Sequence, residues 1–147
     1  MIEVRKGVER DAESIISFDH VAQREEQRRS FILDSVRNGT AWVAVLADRV
    51  VGYAVLEYTF YGRGFISMLY IHPEHRGKGF GTALVQHLEG VCRTEELFTS
   101  TNESNRPMQG LMAKLGYSCS GIINNLDPGD PEIVYFKQLR ASDNEGV

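Results

Sequence analysis

Long apolar runs are absent from this chain of 147 residues. No segment reaches the roughly 18 consecutive apolar residues that a membrane-spanning helix needs, and the N-terminus lacks the pattern of a signal peptide. Cysteine is scarce as well, with Cys92 and Cys119 as the two present. We expect both to be small apolar residues of a reduced protein. These absences predict a cytoplasmic protein without a membrane partner.

An excess of positive charge and the spacing of metal ligands are also missing. Lys and Arg total 16 against 20 Asp and Glu, which gives a formal net charge of −4 and argues against a general nucleic-acid binder. The four histidines are scattered without Cys or acidic partners at ligand spacing, so we expect no metal. The length suits one domain, which we predict over residues 1–140, followed by a polar tail over 141–147.

The hydrophobic pattern predicts an α/β domain in which strands and helices alternate. Two-residue periodicity marks the strands, and spacings of three and four residues mark the helices. Asp11 is placed to cap the first helix, and Asp48-Arg49 is a hairpin signal between two strands. The predicted order is β-α-α-β-β-β-α-β-α-β-β, with strands at 2–5, 40–47, 50–58, 65–71, 97–101, 117–123 and 133–139, and helices from 11, at 24–38, at 79–91 and around 108–115.

A basic, glycine-rich turn, Arg76-Gly-Lys-Gly-Phe-Gly81, joins a predicted buried strand to a predicted helix. Glycine lets backbone N–H groups approach a ligand closely, and a helix start adds free N–H groups and a positive dipole end. Arg76 and Lys78 add positive charge. The turn therefore predicts a phosphate or pyrophosphate site, and so a phosphorylated cofactor.

Two common phosphate-binding motifs do not match this turn. A P-loop needs a Gly-Lys pair followed by Ser or Thr and a longer glycine spacing, and a Rossmann fingerprint needs Gly-x-Gly-x-x-Gly. The spacing Arg76-x-x-Gly79-x-Gly81 after a strand instead resembles the GNAT superfamily of N-acetyltransferases. The order of elements agrees with that family over residues 2–139, as do Asn105 at the start of the short helix and Leu115-Gly-Tyr117 at its end.

This resemblance implies a mixed, mostly antiparallel sheet flanked by helices, with acetyl-coenzyme A as cosubstrate. The backbone of Leu69, Tyr70 and Ile71 is expected to hold the pantetheine arm, and Asn102 and Asn105 to bond it. For Asn105, helix capping is an alternative that is compatible with this role. The pyrophosphate is expected to lie against Arg76, Gly77, Lys78, Gly79, Phe80, Gly81 and Thr82.

The catalytic groups depart from the family pattern. The family often has a tyrosine as general acid where this chain has Met112, and Tyr70, Tyr117 and Tyr135 are candidate replacements.

For the general base, the family sometimes has Glu or His where this chain has Phe65 and Ser67. Glu57 on the strand before them is the best remaining carboxylate, acting directly or through water, and His72 and His75 near the glycine-rich turn are further candidates. The alternative for Glu57 is a solvated charge at a strand edge.

The acetyl acceptor is left open by the sequence. Asp127, Asp130 and Glu132 cluster in a loop that borders the acceptor cleft in the family, where an acidic rim would attract a cationic amine. An ordinary solvated turn explains the same residues. Small polyamine-like amines, protein N-termini and lysine side chains all remain candidates.

The predicted function is acetyl transfer by direct attack of a primary amine on acetyl-coenzyme A in a ternary complex. We expect direct attack because no reactive cysteine lies in the expected cleft. The expected oligomeric state is a monomer or a homodimer. A non-catalytic acetyl-coenzyme A sensor is one alternative, suggested by the missing tyrosine. Acetylation of charged tRNA is another, and its only support is the basic flank Arg24, Arg28 and Arg29. Nucleic acid is otherwise not an expected partner.

Overall fold

A computed structural model describes residues 2–141, and its elements follow the predicted order. The strands form a seven-stranded sheet in the order β1-β2-β3-β4-β5-β7-β6. A single 3₁₀ turn, Pro73–His75, lies between β4 and α3. The elements are β1 Glu3–Lys6, α1 Asp11–Phe18, α2 Glu26–Arg37, β2 Ala41–Leu46, β3 Arg49–Phe60, β4 Arg63–Ile71, α3 Phe80–Val91, β5 Glu96–Asn102, α4 Arg106–Lys114, β6 Ser118–Ile123 and β7 Glu132–Gln138.

The sheet is mixed and mostly antiparallel. Antiparallel pairs join β1 to β2, β2 to β3, β5 to β7 and β6 to β7. Strands β4 and β5 run parallel, with Gly64 opposite Leu97 and Ile66 opposite Thr99. The predicted α/β class with helices flanking a mixed sheet is therefore confirmed. The predicted tail lies outside the described residues from position 142 onward.

Tight turns set the hairpins of the sheet. Ala47 and Asp48 join β2 to β3 with φ of 49° and 65°, the pair of left-handed conformations found in a type I′ hairpin turn. The predicted Asp48-Arg49 turn is thus shifted by one residue, since Arg49 already belongs to β3. Tyr61 and Gly62 join β3 to β4 in the same way, with φ of 54° and 76°.

Contacts divide the chain into two compact units, whose described parts are residues 2–56 with 68–90 and residues 57–67 with 91–141. In the first unit, helices α1 and α2 pack on β2 and β3 around a hydrophobic core. Their inward positions recur at helical spacing, which explains why these segments fold as amphipathic helices. The core includes Ile15, Ile32, Val36, Val43, Tyr53 and Val55.

The second unit is built on β5, β6 and β7 with helix α4. Aromatic rings stack within it, with Phe60 and Phe65 at 4.9 Å and Phe98 and Phe136 at 5.9 Å between ring centres. Met112 of α4 is fully buried, with none of its surface exposed. A methionine at this position therefore serves the core of the unit.

Two expectations about single residues need correction. Asp11 does not cap α1 but is its first residue, and its carboxylate accepts from the Val8 amide at 2.8 Å and from Arg5 at 2.7 Å. Burial alone would raise the pKa of Asp11, but these hydrogen bonds outweigh it and the pKa falls below its ordinary value. Cys92 is buried as expected, whereas Cys119 is exposed on β6.

Candidate active site

The glycine loop, residues 76–79, carries two backbone conformations that favour glycine. Gly77 has a φ of 75° and Gly79 a φ of 92°, a region that L side chains rarely adopt. A Cβ built on either glycine would meet no atom within 4 Å. A side chain at either position would therefore point into open space, and no neighbouring atom of the protein excludes one. The backbone conformation, and not crowding by the protein, favours glycine here.

The same loop presents unused hydrogen-bond donors. Within residues 2–141, the amide N–H groups of Gly77, Lys78 and Gly79 have no acceptor. The first turn of α3 begins here, with Ala83 donating to the Gly79 carbonyl at 3.0 Å, so the helix start adds further free N–H groups. Arg76 and Lys78 are exposed beside them. An open cradle of amides and positive charge fits the pyrophosphate of a cofactor.

Packing against the end of β4 fixes the position of this loop. Arg76 donates its Nε–H to the Ile71 carbonyl at 3.0 Å, and its guanidinium lies 5.1 Å from the centre of the Tyr70 ring. His75 contacts the ring of Phe80 edge-on at 5.9 Å, and Phe80 is only 3% exposed. Phe80 therefore anchors the loop through its side chain, and only its backbone is available to a ligand.

Tyr70, the predicted acid, has its hydroxyl engaged within the first unit. The hydroxyl oxygen accepts from the His20 amide at 3.2 Å. The ring lies 6.3 Å from the rings of both Phe18 and Tyr53, and Arg28 sits 5.7 Å above it. The catalytic role of Tyr70 stays a prediction, and these contacts show that its side chain lies among residues of α1, β3 and α2.

Sequence reasoning missed a buried polar cluster beside Tyr70, formed by Asp19, Arg28 and Tyr53. Asp19 has no exposed surface. Its carboxylate accepts from the Val21 and Ala22 amides at 2.9 and 3.1 Å. It also accepts from Arg28 Nε at 2.9 Å and from the Tyr53 hydroxyl at 2.6 Å. Arg28 is thus no solvated flank residue of α2, as the sequence suggested, but the partner of a buried charge.

The hydrogen bonds of this cluster decide the charge of Asp19. Burial alone would raise the pKa of Asp19, but the bonds from Tyr53 and Arg28 outweigh it, and the pKa falls below its ordinary value. Burial and the adjacent carboxylate raise the pKa of Tyr53 far above its usual value. The cluster therefore holds a charged carboxylate and a neutral phenol, and it ties the segment after α1 to β3.

In the second unit, the predicted base Glu57 has one clear partner. The Ser67 hydroxyl donates a short hydrogen bond to Glu57 Oε2. Both side chains are half-buried, and they lie on the neighbouring strands β3 and β4. Sequence reasoning did not foresee this contact, which orients the Glu57 carboxylate in a partly buried environment.

The two predicted asparagines are engaged with backbone and turn groups. Asn105 caps α4, and its side chain accepts from the Met108 amide at 3.2 Å. Asn102 donates its Nδ2–H to Asp127 Oδ2 at 2.9 Å and to the Asp130 carbonyl at 3.3 Å. The capping role expected of Asn105 is confirmed, and a role of either residue towards the cofactor stays a prediction.

The acidic turn, residues 124–131, and the start of β7 hold the predicted acceptor rim. Asp130 accepts from the Ser104 amide at 3.0 Å and from the Ser104 hydroxyl at 2.6 Å. Glu132 accepts from the Ser100 hydroxyl at 2.7 Å, and Asp127 accepts from Asn102. Each of the three carboxylates therefore binds a group of β5 or of the segment after it, and these bonds hold the turn in place.

Comparison with known proteins places these features in a family. The sequence profile described as acetyltransferase (GNAT) family matches residues 8–117. This chain belongs to the GNAT family of acetyltransferases. The N-acetyltransferase activity that the resemblance implied is thereby confirmed at the level of the family.

Individual relatives agree with this assignment. The chain is 32% identical to the peptidyl-lysine N-acetyltransferase YjaB of Escherichia coli K12 over 117 residues, which is 79% of this chain and 72% of that protein. It resembles the crystal structure of a GNAT-family acetyltransferase from Bacillus cereus ATCC 10987 with a TM-score of 0.88 and 30% identity, covering 94% and 97% of the two chains. It shares its fold with YncA from Salmonella typhimurium, solved with acetyl-CoA, at a TM-score of 0.77 and 18% identity, covering 97% and 96%.

Among the helices of residues 2–141, none is long and apolar enough to cross a membrane. The described part of the chain also contains no group of three or more His, Cys, Asp or Glu side chains that could hold a metal ion.

Proposed function

We propose that this GNAT protein transfers the acetyl group of acetyl-coenzyme A to a primary amine by direct attack in a ternary complex. The open glycine loop carries the proposal, because its unused amides, Arg76 and Lys78 fit a pyrophosphate. A GNAT relative was solved with acetyl-CoA. The 32% identical relative is a peptidyl-lysine N-acetyltransferase, so lysine side chains of peptides are the first acceptors to test.

Acetyl-coenzyme A would supply an activated thioester, and this chain would bind it and accept a proton. The amides of residues 77–79 and the start of α3 bind the pyrophosphate. A lysine side chain has a pKa of about 10.4 and is almost wholly protonated at neutral pH. Glu57, oriented by Ser67, accepts the proton that the ammonium must lose before it attacks, directly or through a water molecule.

Direct attack is supported by the state of the two cysteines. Cys92 is buried, and its sulfur lies 3.4 Å from the Thr94 hydroxyl and 3.9 Å from the Glu96 carbonyl. Cys119 is exposed on β6, where its sulfur contacts the Gly121 carbonyl at 3.7 Å. Among residues 2–141, neither sulfur has a hydrogen bond to a histidine or carboxylate that could activate it as a nucleophile.

A screen of amines that follows release of the coenzyme A thiol tests the function, with lysine peptides, protein N-terminal peptides and polyamines as acceptors. Glu57→Gln is expected to lose about 100-fold in rate at pH 7, the low end of general-base effects. The loss should shrink as the pH approaches the pKa of the amine, because the base acts only on the protonated form. Glu13→Gln, an exposed carboxylate of α1, is the matched control. Equal rates of Glu57→Gln and parent at pH 7 would remove Glu57 from the mechanism.

A non-catalytic sensor of acetyl-coenzyme A is the second candidate, favoured by the fully buried Met112 in place of the family's tyrosine. A methionine thioether cannot donate a proton. Binding of coenzyme A without thiol release for any amine of the screen would support the sensor. The tRNA alternative rests on a smaller basic flank, because Arg28 pairs with Asp19 and Arg29 donates to the Ala22 carbonyl, which leaves the exposed Arg24.

A further inference from the structure

The ring of Tyr70, near the end of β4, has two guanidinium groups beside it. Arg28 of α2 lies 5.7 Å from the ring centre, and Arg76 of the glycine loop lies 5.1 Å from it. A cation within about 6 Å of an aromatic ring centre is attracted by the negative face of the ring. Because Arg76 is exposed, the ring gives an otherwise free side chain of the loop a surface to rest on.

Neighbouring residues of the first unit restrict the Tyr70 ring itself. The hydroxyl oxygen accepts from the His20 amide at 3.2 Å, and the ring centre lies 6.3 Å from the rings of Phe18 and Tyr53. Both of these rings are buried. The ring therefore presents the same surface to Arg76 whether or not a ligand is bound.

The two guanidinium groups differ in how their charge is compensated. Like charges that share one ring repel each other. Arg28 pairs with the buried Asp19 carboxylate at 2.9 Å, which offsets its charge and reduces this repulsion. Within residues 2–141, Arg76 has no ion pair. The uncompensated cation beside the ring is thus the one that belongs to the glycine loop.

Arg76 is also held at a second point. Its Nε–H donates to the Ile71 carbonyl at 3.0 Å, and in the described part of the chain its two terminal nitrogens have no acceptor. A guanidinium that is already oriented loses less conformational freedom on binding an anion than a freely rotating side chain does. The ring and the carbonyl together leave the terminal N–H groups both oriented and available.

We propose that Tyr70 is a positioning residue of the cofactor site, whose ring holds the Arg76 guanidinium in the orientation that binds the pyrophosphate of coenzyme A. The inference rests on the proposed function, and it gives the Tyr70 side chain a role other than proton donation. The hydroxyl serves to fix the ring through the His20 amide. The ring, and not the hydroxyl, is then the part that the cofactor site requires.

Calorimetric titration of the full chain with coenzyme A tests this role. Tyr70→Leu removes the ring and should weaken binding roughly two- to fivefold, the range of an exposed cation–π contact. Tyr70→Phe keeps the ring and should recover this affinity. Tyr58→Leu is the matched control, since the Tyr58 ring lies 4.0 Å from the Arg93 guanidinium and this contact includes no residue of the glycine loop. It should leave the affinity unchanged.

Pantetheine, which lacks the phosphates of coenzyme A, separates positioning from general damage to the site. Tyr70→Leu should bind pantetheine as tightly as the parent does. Arg76→Lys changes an exposed residue and tests the same contact without touching the core. It keeps the charge but loses the planar group that stacks on the ring, so it should weaken coenzyme A binding about as much as Tyr70→Leu. The double variant should lose no more than either single change.

Several outcomes would overturn the inference and leave the proposed function standing. They are a Tyr70→Leu or Arg76→Lys variant with the coenzyme A affinity of the parent, an equal loss for pantetheine, and a Tyr70→Phe variant that binds as weakly as Tyr70→Leu. A Tyr70→Phe variant that binds normally but acetylates a lysine peptide roughly 100-fold more slowly would make the hydroxyl a proton donor instead. A parent that does not bind coenzyme A would contradict the proposed function, and this inference with it.

Discussion

The glycine loop and the acidic turn each contain a glycine of positive φ, but their hydrogen-bonding states are opposite. Gly79 and Gly129 have φ of 92° and 75°, and a Cβ on either would meet no atom within 4 Å. In the glycine loop, within residues 2–141, the amides of residues 77–79 have no acceptor. In the acidic turn, Asp127 and Asp130 accept from Asn102 and Ser104.

This difference separates a loop whose backbone amides are available to a ligand from a loop whose carboxylates bind other parts of the fold. An exposed amide exchanges water for an anion without breaking any bond within the protein. A carboxylate bonded to the protein has part of its accepting capacity used and is held in place by those bonds. Each loop combines glycine with charged residues, which are positive in the glycine loop and negative in the acidic turn. The partners of their polar groups add a second difference between them.

The largest effect is expected where a bonded carboxylate is fully buried. Asp19→Asn removes the charge that compensates Arg28 and should lower the free energy of unfolding by about 3–5 kcal/mol. Denaturant unfolding measures it, with Glu13→Gln as the exposed control. A loss within the error of the control would show that bonded carboxylates do not support this fold.

The same carboxylate makes stability depend on pH. Because its folded pKa is lowered, charged Asp19 stabilises the fold above the unfolded pKa of about 3.9, and this contribution is lost as pH falls through the lower folded value. The parent should therefore lose stability on acidification below about pH 4. Asp19→Asn should lose less over the same range.

The next largest effect compares the two glycines directly. Gly79→Glu puts a side chain and a negative charge into the open cradle and should lower coenzyme A affinity by about 100-fold, roughly 2.7 kcal/mol. Gly129→Glu imposes similar backbone strain of about 1–2 kcal/mol and should leave that affinity unchanged. Calorimetry gives the affinities, and thermal melts give the strain. Equal affinity losses in both variants would mean that strain, not occupation of the loop, is being measured.

The smallest effect concerns the acidic turn. Asp130→Asn weakens the bonds to Ser104 and should cost about 1 kcal/mol of stability with the KM for the amine unchanged. Steady-state kinetics and unfolding curves on the same preparation measure the two quantities. A raised KM without loss of stability would instead make the turn part of the acceptor site.

The glycine loop and the order of elements could be predicted from sequence because both depend on local rules. Glycine spacing after an apolar strand marks the loop, and periodicity marks the elements. The β2–β3 turn was misplaced by one residue, since Ala47 with its positive φ is an unusual turn residue. Local rules do not reveal when an ordinary residue accepts an unusual conformation.

The buried and paired polar groups could not be predicted. Asp19 accepts hydrogen bonds from Arg28, nine residues along the chain, and from Tyr53, thirty-four residues along. The bond from Tyr53 depends on how α1 packs on β3. Glu57 meets Ser67 because β3 and β4 are neighbours in the sheet. Met112 fits a helical stripe, but its complete burial depends on the strands around α4. Tertiary packing decides each of these, and no short spacing encodes it.

The most direct test of the glycine loop as a pyrophosphate site compares coenzyme A with pantetheine, which lacks the nucleoside and all three phosphates. Calorimetric titration should show that the parent binds coenzyme A at least roughly tenfold more tightly than pantetheine. Gly79→Glu should lose this advantage and bind pantetheine as the parent does. A Gly79→Glu variant that keeps the full preference for coenzyme A, or loses affinity for both ligands equally, would contradict the assignment of the loop.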